Sequence, residues 1–558
     1  MQLELVEHLR SDLASAGYGL DAVTALLDEG AEAARHRGVF APARRAIAQR
    51  ASAGGATDAL ATLTRLLLLG EALEASEVDA ALPTLGAAGA IVLGLAAAHG
   101  PEEASESRLR AALSVNPVRI TEGEEWIVIS DLDDQLRRGP ARPDHVMGVG
   151  GATRSLLAQA PTDRVASALD LGTGCGIVAL HLTRFADRVV ATDISERALE
   201  LAEANATLNG VRGRIDFRRG DRFAPVADEQ FELVLSNPPF VITPRETGAP
   251  VYEYRDGGLT GDALARSVVE SGPAFLAPGG TLLCLANWES PWGANGLGRV
   301  REWIEAAAVG AGPLSAWVIE RDRVDPASYA ETWVRDGGAR PGSDEFERLL
   351  GLWLDDFAAR RVTAVGLGSV RVRRAEAAAE SGVASGIGPG AGTDAGSGAE
   401  TAAGAGAGSG SETNSATSSE ADAGTVVHLD SAAGAIAGHP GDLLQRAFLV
   451  GSATAALPPE EILAIRWVLD PEVREEREHQ PGEEAPRAIV LATERPIARR
   501  VSADTLLAAA VGACDGELTL AQIADALATL LEVDAEAAAD ALVASVRELT
   551  WFGMLAPA

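Results

Sequence analysis

Residues 166–176 read ASALDLGTGCG, and residues 177–186 continue IVALHLTRFA. An apolar run ends at Asp170, glycines follow at alternate positions, Gly172, Gly174 and Gly176, and a helical period resumes at once. Glycines so spaced remove Cβ atoms where the chain turns sharply and let a ligand lie against the backbone. A dinucleotide fingerprint is spaced G-x-G-x-x-G and sets a pyrophosphate on the helix N-terminus. G-x-G-x-G after an acidic strand end therefore suits a ligand without pyrophosphate and disfavours a dehydrogenase. The pattern predicts a strand, a tight turn and a helix that open a parallel sheet.

The chain downstream keeps that rhythm. RVVATDI (188–194) precedes the helical SERALELAEANATLNG, and RIDFRRGD (214–221), FELVLSNPPF (231–240) and TLLCLANWE (281–289) follow. Strands alternating with helices mean parallel βαβ units. LSAWVIERD (314–322) and TAVGLGSVRVRR (363–374) complete the sheet with an antiparallel edge pair, separated by the helical PASYAETWVRD and DEFERLLGLWLDDFAARR. Residues 146–374 thus predict an α/β domain with a doubly wound, seven-stranded Rossmann-like sheet.

The flanks differ in character. Residues 1–145 are mainly helical by period. Within them SEVDAALPTLGAAGAIVLGL reads as helix, turn, helix, and RLRAALSVNPVRITEGEEWIVISDL as two strands around a Glu-Gly turn, together a winged-helix-like module. Its second helix carries no arginine for phosphates or base edges, which favours packing or protein docking over nucleic-acid reading. Residues 375–424 are Gly, Ala, Ser, Thr and Glu without apolar period, a composition expected to be disordered. With VRVRR before it and TVVHLD after it, the tract reads as a loop between two neighbouring strands. Residues 425–558 form a further mixed region, whose last helices and short final strand are again winged-helix-like; its first strand is a candidate to join the catalytic sheet.

A chain of 558 residues implies about three or four domains, and 47% apolar residues are enough for real cores. All 47 basic residues are arginine, and the net charge of −33 argues against a chain-wide nucleic-acid or anionic-membrane footprint. Cys175, Cys284 and Cys514 lie far apart without metal spacing, which fits a reducing cytoplasm and argues against structural zinc. The start, MQLELVEHLRSDLASAG, lacks the basic and apolar regions of a signal peptide, and the glycine-broken GAAGAIVLGLAAAHG is too short to span a bilayer. A soluble cytoplasmic protein is expected, with no membrane partner and no metal.

The ends of the first three strands assemble a nucleoside site. Asp193, about twenty residues past the first glycine, stands where a carboxylate accepts bonds from both ribose hydroxyls. Asp221 can accept from an exocyclic adenine amine, with Arg222 or Phe223 to cover the ring, and Asp170 can orient the glycine loop and the ligand's amino group. Singly, each aspartate also reads as a helix cap, and Asn237-Pro238-Pro239-Phe240 as an ordinary turn. The weight lies in their order along the chain.

In that order they resemble the class I S-adenosylmethionine-dependent methyltransferases, and within these the N-methyltransferases with an Asn-Pro-Pro-aromatic motif, over about residues 145–374. Arg255-Asp256-Gly257-Gly258-Leu259-Thr260-Gly261 resembles the D-G-G-x-x-G element of HemK-like glutamine methyltransferases, although Phe240 stands where those have tyrosine and the N-terminal region differs in length. The resemblance implies S-adenosylmethionine as cofactor, with Asp170, Gly172, Gly174, Gly176, Asp193, Asp221, Arg222 and Asn237 around it. A planar nitrogen as methyl acceptor must become pyramidal while gaining positive charge. Acceptors aimed at its N–H bonds, the Asn237 side-chain oxygen and the Pro238 carbonyl, favour that change. Pro238 and Pro239 fix φ and add no competing N–H, and Phe240 offers a stacking face. Residues 145–161, HVMGVGGATRSLLAQAP, form either a loop closing over the cofactor through backbone N–H groups and Thr153 or a plain helix start; Tyr252, Tyr254 and Arg255 either line the acceptor pocket or pack the loop. The acceptor is a protein glutamine amide or an exocyclic amine of RNA or DNA, since NPPF also resembles nucleic-acid methyltransferases; a non-catalytic nucleoside-binding scaffold is the reading from another class.

Overall fold

Leu169, Val190 and Val234 occupy matching positions on three adjacent parallel strands, and none of them is exposed. Strands buried on both faces must be apolar throughout, which is why these segments read as continuous hydrophobic runs. The computed structural model describes residues 1–52, 58–99, 108–137, 142–245, 257–376, 424–436, 438–482 and 485–558. At its centre β1 (Val165–Leu171), β2 (Ala186–Asp193), β3 (Ile215–Arg219), β4 (Phe231–Ser236), β5 (Leu276–Pro291), β6 (Leu314–Val324), β7 (Val362–Arg374) and β8 (Val426–Ser431) form one sheet in the order β8-β6-β7-β5-β4-β1-β2-β3.

The chain winds outward from β1 to β3, then crosses to β4 on the other side of β1. Loops at the carboxyl ends of β1 and β4 therefore diverge, opening a crevice where such sheets bind ligands. β7 runs antiparallel between β5 and β6. The helices α1 (Gly151–Gln159), α2 (Ile177–Leu182), α3 (Glu196–Leu208), α4 (Ala263–Ser271), α5 (Gly296–Ala311), α6 (Pro326–Asp336) and α7 (Asp344–Ala359) surround the sheet. Leu157, Ile177 and Leu201 bury one face, Val268, Val300 and Ile304 the other.

Residues 146–374 contribute seven strands, and the first strand of the C-terminal region, a candidate to join them, makes the sheet eight-stranded. β8 pairs in parallel with β6 rather than with β7, so the strands that flank the low-complexity tract share a sheet without being neighbours. The reason is steric: β7 has β5 on one side and β6 on the other, so of these two strands β6 is the one with an edge left to pair. Most of that tract, at 377–423, lies outside the described residues.

The N-terminal region also departs from expectation. Arg108–Ala111 is the middle strand of a small sheet with Leu73–Glu74 and Ala96–His99, whereas Leu113–Arg119 and Glu125–Asp131 form a separate hairpin. A single pair of strands as the wing is thus corrected, because the hairpin docks elsewhere, on α3. Asn205 Oδ1 accepts the Ile129 N–H (2.7 Å) and Asn205 Nδ2 donates to Ile129 O (2.8 Å). One turn on, Asn209 does the same for Ile127 (2.9 and 2.8 Å). Two amides one helical turn apart match alternate residues of a strand edge, and so satisfy a row of backbone groups that would otherwise be costly to bury.

The C-terminal region is joined through buried polar groups. Arg371 of β7 donates to Gln159 O (2.7 Å) and to the Gln445 side chain of the helix Gly441–Ala456, and burial pulls its guanidinium down to about 10. Arg499 pairs with Asp430 on β8, which also accepts the Trp317 indole N–H (3.2 Å). No helix among the described residues is long and apolar enough to cross a membrane.

Asn205 has a second task, since its Nδ2 also donates to Cys175 O (2.8 Å) within the glycine loop. Asn205→Ala deletes these buried bonds and strands the Ile129 N–H and C=O. We expect it to lower unfolding free energy by about 2–4 kcal/mol, measured by urea denaturation; an unchanged midpoint would mean the hairpin is not held by α3.

Candidate active site

Strand register sets the predicted residues in one row. Leu171 is level with Thr192 on one side and Ser236 on the other, and Asp193 is level with Arg219. Gly172, Asp193, Asp221 and Asn237 therefore emerge together at the carboxyl edge of β1, β2, β3 and β4.

Gly172, Gly174 and Gly176 all have positive φ (79°, 54° and 85°), the left-handed region that favours glycine. Around Gly172 and Gly174 a Cβ would meet nothing within 4 Å, so the space beside the loop is open; at Gly176 it would strike Ala202 Cβ at 2.9 Å. The first two glycines thus form a cradle and the third lets α2 sit tightly against α3.

Asp170 is fully buried. Its Oδ2 accepts the Thr173 hydroxyl (2.5 Å) and the Ala179 N–H (2.9 Å), which holds the loop from both ends. Burial raises its carboxyl to about 7, and nearby Asp193 adds to the rise. Asp193 does not cap α3; Ser195 does so, accepting from Ala198 N (3.4 Å). Instead Asp193 takes the Ser195 N–H on Oδ1 and the Gly174 N–H on Oδ2, both at 2.9 Å, and ties the cradle to β2.

On the opposite side of the crevice Asn237 Nδ2 donates to Thr153 Oγ1 in the first turn of α1 (3.0 Å). That bond fixes the amide plane. It leaves Asn237 Oδ1 buried without a hydrogen-bond partner among the described residues. The loop before Thr153 is itself pinned to the hairpin, since Asp131 accepts the Val146 N–H (2.8 Å) and forms an ion pair with Arg197. Pro238 is buried and Phe240 half-buried, and Phe240, Arg245, Gly257, Leu259, Gly261 and Asp262 line a small depression beyond the motif. Arg245 Nε donates to Leu259 O (2.8 Å), while Asp262 is held by Arg299 (2.6 and 3.0 Å) and accepts the Glu289 N–H (2.9 Å). The second half of the D-G-G-x-x-G element thus abuts NPPF; Tyr252, Tyr254, Arg255 and Asp256 lie outside the described residues.

One expectation fails. Phe223 cannot cover a ligand ring, because it is buried and stacked on Phe275 with centroids 4.4 Å apart. Asp221 and Arg222 are exposed and paired with each other (2.8 Å), an ion pair that holds the Asp221 carboxyl below the usual range. The apolar surface beside Asp193 is Ile194, 60% exposed. Sequence reasoning passed over it, although an isoleucine placed between a strand-end aspartate and a helix cap has no core to enter.

The Asp170 shift has a sign that can be measured. Its unfolded carboxyl ionises near 3.8, so between that value and about 7 the folded chain keeps a proton the unfolded chain has lost. Stability therefore falls as pH rises through this window and levels off above it. We expect Asp170→Asn to lack this decline, so that the wild-type minus variant difference in unfolding free energy changes by a few kcal/mol, on the order of 1.4 per pKa unit, across it. A constant difference in urea titrations between about pH 4 and pH 8 would contradict a raised Asp170.

Two family models match the sequence, a domain of unknown function over residues 15–112 and the methyltransferase small domain over residues 147–300. A release factor glutamine methyltransferase of Cereibacter sphaeroides is 32% identical over 252 residues, covering 44% of this chain and 84% of that protein. A ribosomal protein uL3 glutamine methyltransferase of Bradyrhizobium diazoefficiens is 35% identical over 172 residues, and there the chain spans half of the relative's length and 29% of its own. Among solved structures, a 16S rRNA N2 G1207 methyltransferase of T. thermophilus is 20% identical, with a TM-score of 0.24, covering 36% of this chain and 52% of that one. With the glycine cradle, the strand-end aspartate and the NPPF turn on one sheet edge, and a relative matched over most of its length, the chain belongs to the methyltransferase family that includes the release factor glutamine methyltransferases.

Proposed function

We propose that the chain is an S-adenosylmethionine-dependent N-methyltransferase whose acceptor is a glutamine side-chain amide in a protein. The observation that carries this reading is Asn237 Oδ1, a buried acceptor without a partner among the described residues, in a side chain whose other end is fixed by Thr153. A buried, unpaired carbonyl oxygen costs about 1–3 kcal/mol, and an incoming N–H removes that cost.

The residues fit the cofactor. The open space at Gly172 and Gly174 accepts a group lying on the backbone, Asp193 sets a strand-end carboxylate beside that space for ribose hydroxyls, and exposed Ile194 offers an apolar face to a purine. Bound there, the cofactor would supply an electrophilic methyl on a sulfonium together with its own leaving group. The chain supplies position and polarity. Asn237 Oδ1 would accept one N–H of the acceptor amide and Pro238 O the other, which favours charge on the nitrogen as it takes the methyl group and becomes cationic, and the acidified N–H proton then leaves to water. Phe240 gives the planar amide a face to lie on.

Glutamine is favoured over a nucleobase by the names of the relatives, the D-G-G-x-x-G element and the net charge of −33. We read the flanking regions as docking modules for a protein acceptor. The order helix, strand, helix, helix, strand, strand over residues 59–111, and the sheet of Arg466–Leu469, Asp515–Thr519 and Leu555–Pro557 with its helices, support a winged-helix-like description of both.

Purified protein with methyl-labelled cofactor and a glutamine-bearing release factor or ribosomal protein is expected to yield protease-sensitive label recovered as N-methylglutamine. Label sensitive only to ribonuclease would overturn the acceptor. Asn237→Ala should reduce turnover about 10²–10³-fold, equivalent to roughly 3–4 kcal/mol of barrier, and full turnover would overturn the mechanism. Thr153→Val, which frees the amide to rotate, should cost about tenfold in kcat with little change in cofactor affinity; an unaltered kcat would remove Thr153 from the site.

A further inference from the structure

β6 and β7 are joined by an excursion of two helices, α6 and α7, which lies beyond the residues 147–300 matched by the methyltransferase model. The two helices share a compact core with the chain just after NPPF: Val241 and Ile242 are buried with Tyr329, Phe346, Trp353 and Phe357. At the centre stands Tyr329 of α6, 2% exposed, its ring 5.9–6.1 Å from those of Trp333, Trp353 and Phe357. Its hydroxyl oxygen accepts the main-chain N–H of Ile242 (3.1 Å) and the Asn287 Nδ2 from β5 (2.8 Å).

The position of that bond is informative. Pro238 and Pro239 have no N–H, so the turn carrying Asn237 cannot anchor itself through the backbone donors at those two positions. Upstream, the turn leaves a strand fixed by the sheet and by the Ser236 hydroxyl on Leu171 O (2.9 Å). Downstream, Ile242 gives its N–H to a buried side chain from a different segment of the chain. A turn clamped at both ends holds its acceptor groups still, and a reacting nitrogen needs acceptors placed to within a fraction of an ångström.

We propose that Tyr329 is a positioning residue of the acceptor site, and that the α6–α7 excursion is the jaw that holds the NPPF turn against a planar amide. The proposal rests on the methyl-transfer reading for its consequence and on the Tyr329–Ile242 bond for its cause. It places acceptor discrimination on the opposite side of the crevice from the cradle.

Tyr329→Phe keeps the ring and removes the oxygen, so the aromatic core stays filled. In hydrogen exchange, peptides spanning 237–245 should exchange about tenfold faster than in wild type, while peptides over 169–180 remain unchanged. Binding of S-adenosylhomocysteine should stay within about twofold, and kcat for the labelled protein acceptor should fall about tenfold with the cofactor KM unmoved. A drop in cofactor binding equal to the loss in kcat would mean general loosening and overturn the proposal, as would unaltered exchange at 237–245 or an unaltered kcat. Asn287→Ala, which removes the second donor to the hydroxyl while sparing Ile242, should leave exchange at 237–245 near wild type; the same acceleration as in Tyr329→Phe would show that the hydroxyl itself is not the clamp. If wild type fails to bind S-adenosylhomocysteine, the methyl-transfer reading falls by itself, and the exchange comparison still decides whether Tyr329 holds the turn.

Discussion

An amide oxygen held dry and without a hydrogen-bond donor is the constraint on which the rest of the structure depends. Asn237 Oδ1 is such an atom. Left to itself an asparagine with a buried, unmet oxygen would rotate toward a donor, or the loop would open to water, either of which recovers about 1–3 kcal/mol. The fold must prevent both. Thr153 takes the nitrogen end, which fixes the rotation, and the paired prolines restrict the backbone that carries the side chain. The energy stored in the unmet acceptor is returned only when a donor of the right shape arrives, which is how preorganised polar sites act.

Thr153 can hold that amide only if α1 is itself immobile, and the route of restraint runs into the N-terminal region. The hairpin end at Asp131 pins Val146, and Asn205 and Asn209 pin the hairpin to α3. Asn205 at the same time bonds Cys175 in the glycine loop. Glu124 from the hairpin turn reinforces the contact: buried, it accepts the His181 Nδ1 (3.0 Å) and the Trp126 indole N–H (2.6 Å), and these bonds hold its carboxyl below the usual range in spite of desolvation. The N-terminal region and one face of the sheet share a single apolar core, running from Val6 and Leu9 to Leu180 and Leu201. Residues 1–131 are therefore part of the framework of the site as well as an attachment to it.

How much of this was legible in the sequence follows from the range of the interactions. The glycine cradle, Asp193 and the NPPF turn were readable because each depends on local backbone rules, positive φ at glycine and fixed φ at proline, set at the ends of apolar runs of regular length. Parallel pairing then brings strand ends together without further information. The interactions that select one use for these groups are long-range. Thr153 and Asn237 are 84 residues apart, Asn205 and Ile129 are 76 apart, and Tyr329 and Ile242 are 87 apart. No periodicity signals such pairs. Phe223 was misjudged for a related reason: proximity to Asp221 in sequence says nothing about which way an aromatic side chain turns, and the apolar core under α4 gained it. The eighth strand was readable as a strand, but its partner depended on which edge remained free.

The two sides of the crevice are built from different parts of the chain, and this bears on how such a site can change. The cradle side is braced by the N-terminal hairpin through Asn205 and by Asp170 within β1. The NPPF side is braced by α6 and α7, an excursion between two strands whose pairing it leaves undisturbed: β6 and β7 stay in register from Leu314 opposite Arg374 to Glu320 opposite Gly368, and beyond a bulge to Val324 opposite Val365. Insertions at strand ends cost little in chain entropy and leave a sheet intact. The excursion can therefore vary in length and sequence while the cradle, whose glycines and aspartates obey stricter backbone demands, stays fixed. Because Tyr329 and the apolar core around it meet the chain just after the turn, on the side away from the glycines, a change in α6 acts on the acceptor groups more directly than on the cradle. Cofactor binding and acceptor choice thus draw on different supports in this fold, which meet where Asn237 bonds Thr153 and where β4 pairs with β1 through Ser236 and Leu171.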